Sequence, residues 1–188
     1  MLYGSLASLL AAFVSLLAAE PPGAEVSWIG RDATRSRITL VDVDGSSPKV
    51  VLDSPHRYAA PEWTPDGAEL IVNGGGKLWR LSASGGAPKA IPTGMANWID
   101  INHAGSPDGK SLAFTAGPIW KVPVQGGEPA RVTTASGNYL HAWSPDSKRL
   151  AFSSNRGNGL DLFSIGTDGL AERRLTTDFH ADDAPQYS

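Results

Sequence analysis

From residue 36 onward the chain is a succession of short apolar runs separated by clusters of turn residues. Residues 139–169, "YLHAWSPDSKRLAFSSNRGNGLDLFSIGTDG", show the unit most fully. Apolar runs of this length, bounded by Pro, Asp, Asn and Gly, predict strands. "YLHAWS" is the first, and Pro145-Asp146 opens a β-turn in which proline presets φ. "RLAFSS" is the second strand, "NRGNG" a turn, "LDLFSI" the third strand and "AERRLTT" the fourth. Asp168-Gly169, between the third and fourth, is a hairpin signal, because glycine accepts the positive φ of such turns. Leu150, Ala151 and Phe152 put apolar side chains on both faces of one strand, which predicts a sheet packed on both sides. No stretch after Ala24 has a 3.6-residue period, so the folded part is expected to be antiparallel β throughout.

The unit repeats. Pro-Asp recurs at Pro65-Asp66, Pro107-Asp108 and Pro145-Asp146, at intervals of 42 and 38 residues, and the hairpin glycines Gly45, Gly86, Gly127 and Gly169 stand 41, 41 and 42 apart. A period of roughly 40 to 50 residues is that of four-stranded propeller blades. Three repeats are complete, and a first one shows its outer strands, "SRITLVDVDG" and "KVVLDS".

Composition narrows the class. Gly and Pro make up 35 of the 188 residues, above the usual share of about 12%, as a turn-dense all-β chain requires. A net charge of −3 with no basic cluster longer than Arg173-Arg174 argues against a nucleic-acid partner. Without cysteine there is no disulfide, thiolate metal site or thiol nucleophile. Met1 to Ala19 is uncharged and rich in Leu and Ala, so residues 1–24 are expected to be a signal peptide or an N-terminal hydrophobic segment, and no other stretch is expected to span a membrane. Residues 25–188 are expected to form the propeller part.

The patterns "SPDGKSLAF" and "SPDSKRLAF", followed by "GGEPARVTT" and "RRLTT", resemble the TolB-like β-propeller repeat over residues 36–188. "INHAGSPDG", "YLHAWSPD" and "DDAPQYS", in that order, are similar to six-bladed TolB-like proteins of unassigned activity. The resemblance implies an all-β fold of four-stranded antiparallel blades, of which this chain holds about four of six in an incomplete arc with its C-terminal blades missing. Such an arc exposes two sheet edges, so residues 25–188 alone are expected to self-associate. Related propellers occur in Tol-Pal envelope proteins, before prolyl-peptidase domains and in oligogalacturonate lyases, so fold alone does not carry activity across.

In a propeller, the innermost strands line a channel whose mouth presents equivalent side chains from successive blades. His103 and His141 each stand four residues before the Pro of their Pro-Asp, and Asp182 and Asp183 fall near that place in the next repeat. With Asn102 and Tyr139 these are the candidate ligand-binding residues, and Glu62 neighbours them. Two imidazoles and a carboxylate have the chemistry to hold a divalent metal or polarise a sugar carboxylate. A histidine before a tight turn more commonly caps a carbonyl and fixes the loop, so no metal or other cofactor is assigned. His56 and His180 are expected in solvent. Trp63, Trp79, Trp98, Trp120 and Trp143 are expected to pack between blades, and Asp66, Asp108 and Asp146 to be turn residues. "DVDGSS" at 42–47 lacks the remaining ligands of a calcium loop and reads as a hairpin. "NGGGK" at 73–77 opens no helix and reads as a tight turn. There is no Gly-x-Ser-x-Gly, His-Glu-x-x-His or phosphate-binding Gly-Lys-Ser/Thr motif.

The expected function is therefore an extracytoplasmic binding scaffold, periplasmic or secreted, for an envelope protein or glycan. The alternative is a carbohydrate-active, metal-assisted lyase-like site on His103 and His141, or a hydrolase-associated propeller.

Overall fold

The computed structural model describes the backbone of residues 11–15 and residues 35–94, 99, 102–156 and 159–188, and the regular elements among them are all strands. The rest of the 1–24 segment, Trp98 and part of the "NRGNG" turn lie outside the described residues. Among those described, no helix is long and apolar enough to cross a membrane.

Blade 1 contains β1 (Ala11–Ser15), β2 (Ser36–Val41) and β3 (Lys49–Ser54), in that sheet order. Blade 2 contains β4 (Ala59–Trp63), β5 (Glu69–Gly74), β6 (Lys77–Ser82) and β7 (Lys89–Ala90). Blade 3 contains β8 (His103–Gly105), β9 (Ser111–Thr115), β10 (Ile119–Pro123) and β11 (Ala130–Arg131). Blade 4 contains β12 (Asn138–Trp143), β13 (Arg149–Asn155), β14 (Leu160–Gly166) and β15 (Arg173–Arg174). Every pairing is antiparallel and joins neighbours in sequence, as the turn grammar predicted. In blade 1 the Asp44-Gly45 hairpin joins β2 to β3, so these match the third and fourth strands of the other blades. β1 takes the second place, on backbone that the sequence assigned to the N-terminal apolar segment. The fourth strands of blades 2, 3 and 4 are only two residues long and carry Lys89, Arg131, Arg173 and Arg174, a charged outer rim that resists edge-to-edge pairing.

Each Pro-Asp turn is built alike. The Ser144 hydroxyl donates to Asp146 Oδ1 at 2.6 Å, and the same oxygen accepts the Lys148 N–H. Ser106, Asp108 and Lys110 repeat this arrangement, as do Thr64, Asp66 and Ala68. The hydroxyl, and after it the backbone N–H, holds each aspartate below its ordinary pKa, so these carboxylates are fixed turn acceptors. The residue after the Asp has positive φ in each case: Gly67, Gly109 and Ser147. Ser147, without glycine's freedom, accepts the Asp108 N–H from the preceding blade. Asp42, Asp44 and Gly45 form a hairpin, and Gly75 and Gly76, both at positive φ, turn β5 into β6.

The core is divided among the gaps between blades. Ile38, Leu40, Val51 and Leu52 of blade 1 pack on Leu70, Val72 and Leu81 of blade 2. Ile71 and Leu78 of blade 2 meet Leu112, Phe114 and Val122 of blade 3. Ala104, Ala113 and Ile119 of blade 3 meet Leu140, Trp143, Leu150 and Phe152 of blade 4. β5 therefore sends Leu70 and Val72 one way and Ile71 the other. Trp63 and Trp79 border the first gap, Trp120 the second, and Trp143 lies in the third, the inter-blade packing expected of them.

Candidate functional site

β4, β8 and β12 stand at one end of their sheets and approach one another there, which makes them the inner strands. Tyr139 and His141 lie in β12 and His103 in β8. Asn102 immediately precedes β8, and Asp182 and Asp183 enter the next repeat. Equal sequence offsets do not give the two histidines equal registers. His103 pairs with Phe114, the place held in blade 4 by Leu140 opposite Phe152, whereas His141 is the extra residue of a β-bulge between Leu140 and Ala142. A bulge re-aims the side chain it carries.

The bulge brings His141 to Asp183. His141 Nε2 lies 2.9 Å from Asp183 Oδ1 and 3.1 Å from Ser153 Oγ, and the Ser153 hydroxyl donates to the same Asp183 oxygen at 2.6 Å. The Ser153 hydroxyl does most to hold the Asp183 carboxyl below its ordinary pKa, with the His141 charge a smaller cause. In a hydrolytic triad the serine hydroxyl donates to the histidine, and the aspartate binds the other ring nitrogen. Here Ser153 is fully buried and donates to the carboxylate, so the three residues form a clamp. His103 turns to another partner, its Nε2 lying 3.4 Å from the Ile71 carbonyl of blade 2. Asn102 Nδ2 donates to the Leu140 carbonyl, which ties blade 3 to the strand carrying Tyr139 and His141. Tyr139 is 43% exposed. The Asp182 N–H donates to Leu160 while its Oδ2 is buried without a partner. His180 is exposed. Among the described residues no three of His, Asp and Glu are grouped so as to hold a metal ion.

A set of small polar residues that the sequence reading missed explains this geometry. Asn73, Thr115 and Ser153 each stand eight residues after their Pro-Asp proline, at the same 42 and 38 residue intervals, inside otherwise apolar strands. All three are buried, and each bonds to the next repeat. Asn73 Nδ2 donates to Ile99, the Leu140 N–H donates to Thr115 Oγ1, and Ser153 donates to Asp183. A polar residue recurring at one offset in apolar runs was the available signal. Glu62 adds a cross-link of another kind. Its carboxylate accepts the Gly105 N–H at 2.9 Å, and burial pushes its pKa up to about 7 against the pull of that bond. The carbonyl of the same peptide unit, at Ala104, accepts from Trp143 Nε1. One peptide of the inner strand of blade 3 is thus held from the blades on both sides.

No protein-family model matches the chain. It is 35% identical over 161 residues to the uncharacterized protein Atu1656 of Agrobacterium fabrum, covering 82% of this chain and 55% of that one. It is 29% identical over 166 residues to the Tol-Pal system protein TolB of Anaeromyxobacter sp. (strain K), covering 86% of this chain and 29% of that one. A solved structure from Agrobacterium tumefaciens, assigned as a TolB, superposes with a TM-score of 0.77 at 34% identity, covering 82% of this chain and 58% of that one. The chain thus spans about half the length of Atu1656 and less than a third of TolB. Shared blades, repeat motif and sequence lead to one conclusion: the chain belongs to the TolB-like β-propeller family.

Proposed function

We propose that the chain is the propeller part of an extracytoplasmic, envelope-associated binding protein that presents its inner-strand rim to a protein partner. The observation that carries this is how the polar side chains of that rim are used. Asn102, His103, His141 and Asp183 are engaged in bonds that fix one blade to the next, while Tyr139 is left exposed on the same strand as His141. A rigid rim bearing an exposed aromatic suits recognition, since Tyr contributes a large contact area at low conformational cost. The relative named as a Tol-Pal system protein supports an envelope setting and a periplasmic location. A glycan is the other occupant this rim suits. Ser153 donates to Asp183 and not to His141, so these three residues do not form a hydrolytic triad.

The test is photo-crosslinking from position 139 in cells, with position 170, on the exposed outer hairpin, as control. Protease-sensitive adducts in the envelope fraction from position 139 and none from 170 are the expected result. Equal adducts from both positions, or a protein confined to the cytosol, overturn the reading, and protease-resistant adducts sensitive to glycosidase move it to a glycan. Blade 1 uses Ala11–Ser15, so an exported form that keeps this sheet retains those residues, which N-terminal sequencing of the same fraction checks.

A further inference from the structure

Trp63, Gly105 and Trp143 each stand two residues before the Pro-Asp proline of their repeat, and the residues before them are Glu62, Ala104 and Ala142. Blades 2 and 3 therefore combine two departures, a carboxylate where the other two repeats have alanine and a glycine where they have tryptophan. The structure shows that the two belong together. Glu62 reaches across the gap into the space that a side chain at position 105 would use, since a Cβ on Gly105 would stand 3.9 Å from Glu62 Oε1 and 3.9 Å from Leu112 Cδ2. Glu62 Oε2 accepts the Gly105 N–H at 2.9 Å.

The Ala104–Gly105 peptide carries that contact on to blade 4. The Gly105 N–H and the Ala104 carbonyl are the two ends of one planar, conjugated unit, and the carbonyl accepts the N–H of the buried Trp143 indole at 2.9 Å. An unbroken path of hydrogen bonds thus runs from the Glu62 carboxyl through one peptide to Trp143, crossing two gaps and ending on β12. Bonds in such a chain polarise one another, each gaining roughly 10–30% in strength, and an ionised acceptor binds about twice as strongly as a neutral one. The groups around Glu62 leave its charge to respond to pH. From blade 3 it faces Gly105, Leu112 and His103, whose Nε2 lies by the Ile71 carbonyl. On its own blade Ile71 stands opposite it and Arg80 opposite Ile71, but Arg80 is bound to Glu69 and to the Val124 carbonyl. Burial, opposed only by the Gly105 N–H, pushes the Glu62 pKa up to about 7.

We propose that Glu62, the Ala104–Gly105 peptide and Trp143 form a proton-controlled relay that transmits the charge state of blade 2 to β12, the strand carrying Tyr139. With Glu62 protonated, the bonds at both ends of the peptide are ordinary neutral ones. When the proton leaves to solvent, the carboxylate pulls on the Gly105 N–H, the Ala104 carbonyl gains negative charge and Trp143 is held more tightly. The cost of burying the charge falls on the fold as a whole, and the tightening on this one link. The relay does not depend on what the rim binds.

Nuclear magnetic resonance of the 188-residue chain, isotope-labelled at tryptophan, tests this, with the Trp143 indole resonance identified by its absence in Trp143→Phe. From acid to alkaline pH the indole proton should move downfield along a single titration centred at about 7. Its protection against exchange, corrected for the hydroxide dependence of the reaction, should rise about twofold over the same range. Glu62→Gln keeps an acceptor for the Gly105 N–H and should leave the resonance in place without a titration. His103→Gln keeps a donor for the Ile71 carbonyl and should leave the titration intact, which separates Glu62 from the neighbouring histidine, a side chain that also changes charge near neutral pH. A stationary resonance in the parent, an upfield shift, a titration that persists in Glu62→Gln, or one that vanishes in His103→Gln overturns the proposal. None of these outcomes bears on the crosslinking result at position 139.

Discussion

Glu62 shows how one residue can set a pH response for a sheet-to-sheet contact. Its carboxyl lies between blades 2 and 3, where burial raises its pKa from the ordinary value of about 4.5 to about 7, and it accepts the Gly105 N–H. The folded state therefore binds more protons than the unfolded one between those two values, and stability falls as pH rises from about 4.5 to 7. The full difference is on the order of 3 kcal/mol. Asp66, Asp108 and Asp146 act with the opposite sign, because their lowered pKa values add stability that is lost as pH falls below the usual carboxylate range. Thermal melts should thus show greatest stability near pH 4.5 to 5. Glu62→Gln should flatten the fall toward pH 8 and leave the acid limb unchanged. A variant whose melting curve against pH parallels that of the parent would show that Glu62 does not titrate in this range. None of this was legible from the sequence, where Glu62 stood only as a neighbour of the candidate histidines, because its environment is made by a strand 43 residues away.

At the scale of the element, glycines of the outer hairpins do more than turn the chain. A Cβ on Gly85 would stand 3.3 Å from the Val51 carbonyl, one on Gly126 2.4 Å from the Pro92 carbonyl, and one on Gly169 3.0 Å from the Val132 carbonyl. In each case the outer hairpin of one blade lies against the outer backbone of the blade before it. Gly45, in blade 1, meets nothing within 4 Å. Gly126→Ala should accordingly cost at least about 2 kcal/mol more than Gly45→Ala, which bears only the penalty of about 1–2 kcal/mol for a side chain at positive φ. Urea denaturation of the two variants measures the difference, and equal losses would mean that the hairpins can shift outward freely. The strands and turns themselves were legible, since alternating apolar runs and Pro-Asp or Gly-Gly punctuation are local signals. The bulge at His141 was not, because it exists only in the pairing of β12 with β13.

At the scale of the molecule, the buried apolar side chains among the described residues fall into three separate gaps between blades, so stability should be divided along the arc. Phe152 lies in the gap between blades 3 and 4, stacked on Phe163 at 5.5 Å with Arg156 over both rings. Phe152→Ala should remove about 3–5 kcal/mol locally. Hydrogen exchange should then show lost protection in β12 to β14 while β5 and β6 keep theirs, whereas uniform loss would mark one cooperative unit. The bonds that cross these gaps have a further consequence. Asn73 offers an amide, Thr115 a hydroxyl acceptor, and Ser153 a hydroxyl donor to a carboxylate. Near-identical repeats risk slipping by one period while the chain folds. A different polar match at each junction makes such a slip leave a buried group unsatisfied, so the small polar residues act as addresses that fix the order of the blades.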